Sequence, residues 1–244
     1  MKKILFIFIN IILIWNLVFA ANIQEGIELF KKHKYKEAKE IFLKVIAESP
    51  ENFKAYYYLG ITSKILGDNE NAILALKRAI EIQPNNINLY VQLAELYLIT
   101  GNNQFAIKLC LYALQYETDN DRLFYILGQA YYNKKEYDKA EKSFEKAIYL
   151  NPENAYYYNL LGLLYLNTGR YNKANTAFLT AIALDSSVYF FYYNLGLSYE
   201  KLKEWKKAAD SYNKCLKLNK NFEFAGKRLK KIKHKIRRKI KKRK

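Results

Sequence analysis

Histidine and cysteine, which often carry acid–base and nucleophilic chemistry near neutral pH, are scarce in this chain and widely spaced. The 244 residues contain two histidines, His33 and His234, and two cysteines, Cys110 and Cys215. Neither histidine has a carboxylate or thiol partner at a spacing that acid–base or metal chemistry would require. Residues 223–244 contain a single acid and no Ser, Thr or Cys. We therefore predict a protein that is not an enzyme and that holds no metal or cofactor.

The residues best suited to binding an anionic partner are concentrated at the C-terminal end. Residues 227–244 contain 13 Lys and Arg and no Asp or Glu, whereas the other 226 residues contain 28 basic and 23 acidic residues. Most of the net charge of +18 therefore comes from this segment. The residues predicted to bind an anionic partner are Lys227, Arg228, Lys230, Lys231, Lys233, Lys235, Arg237, Arg238 and Lys239.

The same segment has the apolar spacing of an amphipathic helix. Leu229, Ile232, Ile236 and Ile240 recur at intervals of three and four residues, which places them on one helical face. We expect 223–244 to form a basic amphipathic helix and tail, of which the first turns cap the apolar end of the domain. An anionic membrane surface or an acidic protein would fit the charge, and solubility alone is a further explanation. Nucleic acid also fits the charge, but export of the protein argues against it.

The rest of the chain is organised by a period of 34 residues. Alanine recurs at this interval without a slip, at Ala38, Ala72, Ala106, Ala140, Ala174 and Ala208. Twelve residues before each alanine stands a glycine or alanine, namely Gly26, Gly60, Ala94, Gly128, Gly162 and Gly196. Four residues after each stand Phe42, Leu76, Cys110, Phe144, Phe178 and Tyr212. The agreement of these sets predicts six copies of one structural unit.

Each copy has the pattern of two amphipathic helices, with apolar residues at three- and four-residue spacing. The recurring small residues would let the two helices approach closely. The three prolines, Pro50, Pro84 and Pro152, share one position, where a helix ends and the next copy begins. The residues expected to cap the incoming helices are Asn85, Asn86, Asp119, Asn120 and Asn154.

These residues resemble the tetratricopeptide repeat (TPR) family, in which 34-residue helix–turn–helix units are stacked. The resemblance covers about residues 21–222. It implies an all-α fold, a right-handed superhelical solenoid of six TPR units with a C-terminal capping helix. The implied repeats are about 21–52, 53–86, 87–120, 121–154, 155–188 and 189–222.

The two cysteines fall at core positions of second helices, three repeats apart. Packed helix layers are roughly 10 Å apart, whereas a disulfide needs Cα atoms within about 7 Å. We therefore expect Cys110 and Cys215 to be buried thiols with no bond between them.

The resemblance also implies a peptide- or partner-binding groove lined by the first helices, chiefly at the second, fifth, ninth, twelfth and thirteenth positions of each repeat. The arrangement of Lys and Asn with which some members hold a C-terminal carboxylate is absent at the fifth position. Aromatic, amide and guanidinium groups suit recognition of an extended peptide. The groove residues implied for this chain are Tyr57, Lys64, Glu95, Arg122, Tyr125, Gln129, Tyr132, Asn133, Tyr156, Asn159, Tyr193 and Glu200.

The first twenty residues have the composition of an export signal. Lys2 and Lys3 precede an apolar run from Ile4 to Phe19, and cleavage after Ala20 would fit the small residue there. We predict a signal peptide over 1–20. An uncleaved N-terminal membrane anchor is the alternative, because about 17 apolar residues can suffice to span a bilayer.

Together these features predict an exported TPR scaffold or adaptor that mediates protein–protein interaction through its groove. We expect it in the periplasm or on a periplasm-facing membrane, with a role in assembling an envelope complex. The alternatives are a membrane-anchored assembly factor and a protein that binds anionic lipid or nucleic acid through its basic tail.

Overall fold

The computed structural model describes residues 23–241, with side chains described as far as residue 236. This part of the chain forms thirteen α-helices and no strand, so the prediction of an all-α fold is confirmed. The predicted signal peptide or anchor at 1–20 lies outside it. Among the described residues, no helix combines the length and the apolar character needed to cross a bilayer.

The chain divides into two compact units, and the first is made of helices from residue 23 to Glu117. Each helix packs against the next one along the chain, with contacts both inside the repeats implied by the sequence and between neighbouring repeats. The helices are α1 (23–31), α2 (Tyr35–Glu48), α3 (Phe53–Ile65), α4 (Asn69–Ile82), α5 (Ile87–Ile99) and α6 (Asn103–Ala113).

The second unit begins at Thr118 and has the same construction. Three helix pairs are followed by a single long helix that packs against the second helix of the last pair. The helices are α7 (Asp121–Asn133), α8 (Tyr137–Leu150), α9 (Ala155–Asn167), α10 (Tyr171–Leu184), α11 (Tyr189–Lys201), α12 (Trp205–Leu218) and α13 (Glu223–Lys241).

The recurring residues form the core of both units. All six alanines of the 34-residue period are fully buried. In the second unit the rings of Phe144 and Phe178 lie in one apolar cluster with Leu164 and Leu195. Complete burial of such a ring stabilises the fold by about 2 to 3 kcal/mol. The periodic residues are therefore conserved in type from repeat to repeat because they share one packing environment.

The first helices of the pairs begin at asparagine caps in several repeats. The side-chain oxygens of Asn52, Asn120 and Asn154 accept hydrogen bonds from backbone N–H groups in the first turn. Each such cap contributes about 1 kcal/mol. Asn86 occupies the same position before α5 without a capping side-chain bond, and Val188 before α11 has no acceptor to offer.

The turn inside each helix pair is closed by a residue in the left-handed region. Glycine supplies this conformation at Gly67, Gly101 and Gly169, with φ between 76° and 78°. The equivalent positions of the other three repeats hold His33, Lys135 and Lys203, with φ between 59° and 63°. A side chain is strained in this region, so these three turns are formed at some cost.

Candidate functional site

The residues implied for the groove lie on the first helices of the pairs, α3 and α5 in the first unit and α7, α9 and α11 in the second. Their surroundings differ from one repeat to the next. Some side chains are exposed, others are engaged by a neighbouring repeat, and one is buried.

In the first unit two of the implied groove residues bind each other. The ammonium group of Lys64 lies 3.1 Å from a carboxylate oxygen of Glu95, and each side chain is 22% exposed. The pair joins α3 to α5. Tyr57 is half-buried, with its ring 5.2 Å from that of Tyr58. The charges of this surface are therefore largely satisfied within the unit.

Two exposed isoleucines on the same helices were missed in the sequence. Ile65 ends α3 and Ile99 ends α5, and their exposures are 47% and 61%. Both occupy the thirteenth position of their repeats, the position that Asn133 holds in the fourth. Their position in the repeat is the sequence signal from which both could have been predicted.

In the second unit, α7 contributes a row of partly exposed polar and aromatic groups. Arg122 and Asn133 are exposed at its two ends, and Gln129 is half-buried between them. The ring of Tyr125 lies 5.2 Å from that of Tyr157 on α9. The hydroxyl of Tyr132 accepts a hydrogen bond from the amide of Asn167.

Asp121, which the sequence analysis did not select, positions part of this row. Its carboxylate accepts a hydrogen bond of 2.7 Å from the hydroxyl of Tyr157 and one of 3.0 Å from the amide of Asn151. Burial, together with the bond to this carboxylate, raises the pKa of Tyr157. The hydrogen bond to Asp121 fixes the Tyr157 ring beside that of Tyr125.

On α9 the two implied residues have opposite surroundings. Tyr156 is 49% exposed, and its ring makes an edge contact with Phe191 at 5.5 Å. Asn159 is only 4% exposed, and its side-chain oxygen accepts a hydrogen bond of 2.8 Å from the amide of Asn194. Asn159 thus links α9 to α11 in the interior and takes no part in an exposed surface.

A continuous row of rings crosses the second unit near the starts of α9, α11 and α13. Centroid distances are 6.1 Å from Tyr156 to Phe190, 5.7 Å from Phe190 to Tyr189, 5.0 Å from Tyr189 to Phe222 and 5.6 Å from Phe222 to Phe224. Phe190 and Phe224 occupy the same second position as Tyr156, and this position is the sequence signal from which both could have been predicted. Phe224 is 66% exposed.

Glu200, at the other end of α11, is held by two partners. Its carboxylate accepts a hydrogen bond of 3.0 Å from the hydroxyl of Tyr212 and lies 3.3 Å from the guanidinium of Arg228. Only 12% of the Glu200 side chain is exposed. Burial and the negative charge of Glu200 raise the pKa of Tyr212. Tyr193, also on α11, packs its ring 5.1 Å from that of Phe222.

The helix α13 covers the end of the last repeat, as the capping prediction requires. Leu229 and Ile232 are buried in a cluster with residues of α12. Two of its basic residues are turned to the repeats, because Arg228 pairs with Glu200 and the Lys235 ammonium lies 4.2 Å from the ring centre of Trp205.

Other basic residues of α13 remain exposed. These are Lys227, Lys230, Lys231 and Lys233. Lys227 forms an exposed ion pair with Glu223, 2.8 Å apart. The side chains of Arg237, Arg238 and Lys239 lie outside the described ones. Binding of an anionic partner by this set stays a prediction.

Reactive groups are poorly placed for chemistry. Cys110 and Cys215 are free and buried, and burial raises the pKa of their thiols to about 12 and about 11. Thiolates, the reactive form, are therefore rare at neutral pH. Within residues 23–241 no group of three or more His, Cys, Asp or Glu could hold a metal ion.

A family model accounts for nearly all of the described chain. Residues 22–239 match the model of a TPR domain described as the C-terminal domain of cilia and flagella-associated protein 70. No curated protein matches the sequence significantly.

Solved structures with similar folds include three of different kinds. A chain of the APC/C hetero-tetramer Cut9–Hcn1 superposes with a TM-score of 0.75 at 21% identity, over 88% of this chain and 42% of that one. YrrB, a TPR protein with an unusual peptide-binding site, superposes with a TM-score of 0.59 at 21% identity, over 78% of this chain and 97% of that one. PilW, a type IV pilus biogenesis factor, superposes with a TM-score of 0.78 at 14% identity, over 88% of this chain and 98% of that one. The chain spans less than half of the Cut9–Hcn1 relative, and these likenesses show a shared fold.

Proposed function

Since this chain belongs to the TPR family represented by the C-terminal domain of cilia and flagella-associated protein 70, we propose that it is a scaffold that binds another protein or a peptide through its first helices. The binding surface is centred on α7 and α9 of the second unit. In this proposal the chain acts by holding a partner and not by catalysing a reaction.

The observation that carries this proposal is the combination of aromatic rings and polar groups on α7 and α9. Tyr125, Tyr132 and Tyr156 offer ring area on these two helices, while the exposed Arg122 and Asn133 provide charge and hydrogen-bonding groups beside them. Tyrosine and arginine are enriched among the residues that dominate binding energy at protein interfaces. Hydrogen bonds hold the hydroxyl of Tyr132 to Asn167 and that of the neighbouring Tyr157 to Asp121. Both rings are therefore already ordered, which reduces the entropy lost on binding.

The similar structures support a binding role in different ways. YrrB has a peptide-binding site, and Cut9–Hcn1 is a complex of more than one chain. PilW acts in pilus biogenesis, which favours an exported, envelope-related role for this chain as well. The apolar segment at 1–20 supports the same location, so we place the protein in the periplasm or on the membrane facing it.

The binding surface is tested by photo-crosslinking in living cells. A photoreactive phenylalanine analogue replaces Tyr156, and a matched variant carries it at Tyr149, which is 77% exposed on α8. We expect a discrete crosslinked species from position 156 alone. The triple variant Tyr125→Ala/Tyr132→Ala/Tyr156→Ala should lose that partner in a pull-down, while Tyr116→Ala/Tyr149→Ala should retain it. Unchanged recovery by the triple variant would refute the assigned surface.

The proposed location has a separate test. The mass of the protein purified from cells shows whether residues 1–20 are removed. Their loss is expected for an exported scaffold, whereas an intact N-terminus would favour the membrane-anchored assembly factor. Protection of the chain from protease in intact cells, lost once the outer membrane is permeabilised, would support a periplasmic location; cleavage without permeabilisation would contradict it.

A further inference from the structure

The capping helix α13 completes a pocket in the second unit. The pocket has a volume of about 440 Å³ and lies where the ends of α9 and α11 meet the starts of α10 and α12. Nine residues from α9 to α13 line it. Asn167, Lys201 and Glu200 hold the twelfth and thirteenth positions, so the pocket continues the surface assigned to partner binding.

The pocket has an excess of positive charge. Three of the lining residues are basic, Lys201, Arg228 and Lys235, and one is acidic, Glu200. This carboxylate is already bound by the Tyr212 hydroxyl and by Arg228. The guanidinium and the carboxylate offset each other, which leaves the two lysines without a compensating acid among the lining residues. Lys235 is held over the ring of Trp205 by a cation–π contact at 4.2 Å, which fixes one of the charges at the wall.

Apolar side chains form the remaining walls. Leu166 and Leu197 are half-buried and belong to the apolar clusters of the unit, and Tyr171 and Trp205 flank them. An isolated small anion would leave this apolar area exposed. A ligand that fits both properties places a carboxylate near the lysines and an apolar side chain against the leucines and rings.

We propose that this pocket binds an acidic side chain of the partner, an Asp or Glu flanked by apolar residues, and that α13 is therefore part of the binding site as well as a cap. The inference rests on the proposed function, because it specifies what part of the bound segment lies at the C-terminal end of the surface. Lys201 and Lys235 confer the preference for acid. Lys230 and Lys233 of the same helix do not line the pocket and take no part in it.

The experiment uses the full chain and pairs of short fluorescent peptides. In each pair, one peptide has a central segment of Leu, Phe and Glu. Its twin is identical except that Gln replaces Glu. We expect the acidic twin to bind about tenfold more tightly in anisotropy titrations at low salt. This preference should diminish as NaCl is added, because screening weakens the exposed charges.

Two charge-matched variants locate the effect. Lys201→Gln/Lys235→Gln should abolish the preference, whereas Lys230→Gln/Lys233→Gln should keep it within about twofold. Equal binding of the twins by the unaltered protein, or an equal loss in both variants, would overturn the inference. If the tyrosine triple variant loses its cellular partner while the twins bind alike, the scaffold proposal stands and this inference alone fails.

Discussion

A methyl group placed on Gly128 would lie 2.6 Å from the ring of Phe144. The same relation joins Gly162 to Phe178, at 2.5 Å. Glycine on the first helix is therefore what allows a ring on the second helix to fill the contact between them. In the third repeat the glycine position holds Ala94, and the ring position holds the smaller Cys110, both fully buried.

This contact makes the effect of an added methyl group dependent on its site. Gly128→Ala should lower the free energy of unfolding by about 1 to 3 kcal/mol, because the ring of Phe144 must move to admit the methyl group. Gly226→Ala should leave stability unchanged or raise it by up to about 1 kcal/mol, since that glycine is in a helix with open space around it. Urea denaturation measures both.

The explanation is checked in a second background. If the ring causes the clash, Gly128→Ala should cost less in a chain that already carries Phe144→Cys than in the unaltered chain. An equal cost in both backgrounds would contradict it.

The fold could be read from the sequence because a few contacts of this kind repeat. Small residues and rings that must meet between helices leave little choice of residue type, so Ala38, Gly128 and Phe144 mark their repeats. Helix pairs, their approximate limits and the buried cysteines followed from the period. Predicting which side chains stay exposed was harder. Lys64 and Glu95 were assigned to a ligand, yet each is the other's partner, 3.1 Å apart.

The difference has a physical cause. Core contacts recur at a fixed offset in every repeat, whereas polar contacts such as Glu200 with Arg228 join side chains that occur once. Their partners depend on the offset between neighbouring helices and on rotamers, which the period does not specify. The left-handed turns show a further limit. Lys135 and Lys203 occupy a position where glycine would have indicated a left-handed turn in the sequence.

The left-handed turn at Lys203 predicts a stabilising substitution. Its φ of 61° strains a side chain but not glycine. Lys203→Gly should raise the free energy of unfolding by about 0.5 to 1 kcal/mol. Lys214→Gly, within the regular helix α12, removes the same charge and should lower it by about 1 kcal/mol. Thermal and urea denaturation compare the two, and destabilisation by both would show that the turn is not strained.

The buried hydrogen bond between Asn159 and Asn194 predicts that removing either amide lowers stability, although neither side chain belongs to the exposed surface. Asn159→Ala removes the acceptor of the Asn194 amide, which is itself only 8% exposed. An unsatisfied buried donor costs about 1 to 3 kcal/mol, so the variant should be less stable by that amount. Asn213→Ala on the exposed face of α12 should change stability by less than about 0.5 kcal/mol. Similar effects at the two sites would mean that water replaces the lost bond.

The buried thiol of Cys110 predicts a loss of stability at alkaline pH. Burial raises its pKa from 9.0 to about 12, so the unfolded chain releases this proton first as pH rises. The stability that this pKa difference gives to the folded chain is fully present below pH 9. It is lost as the pH rises from 9.0 to about 12, at about 1 kcal/mol per pH unit. Urea denaturation between pH 8 and pH 11 should therefore show a shallower decline in Cys110→Ala than in the unaltered chain.

The difference in slope isolates the thiol because other groups with raised pKa values, such as Cys215, Tyr165 and Tyr212, are present in both chains. Cys110→Ala also removes a buried sulfur. The packing lost with it lowers stability equally at every pH and contributes nothing to the slope. Alkylation gives a second measure: iodoacetamide should label Cys110 slowly in the native protein at pH 8 and rapidly in urea, because the thiolate forms only on unfolding. Equal slopes together with rapid native labelling would show that this side chain is accessible to water.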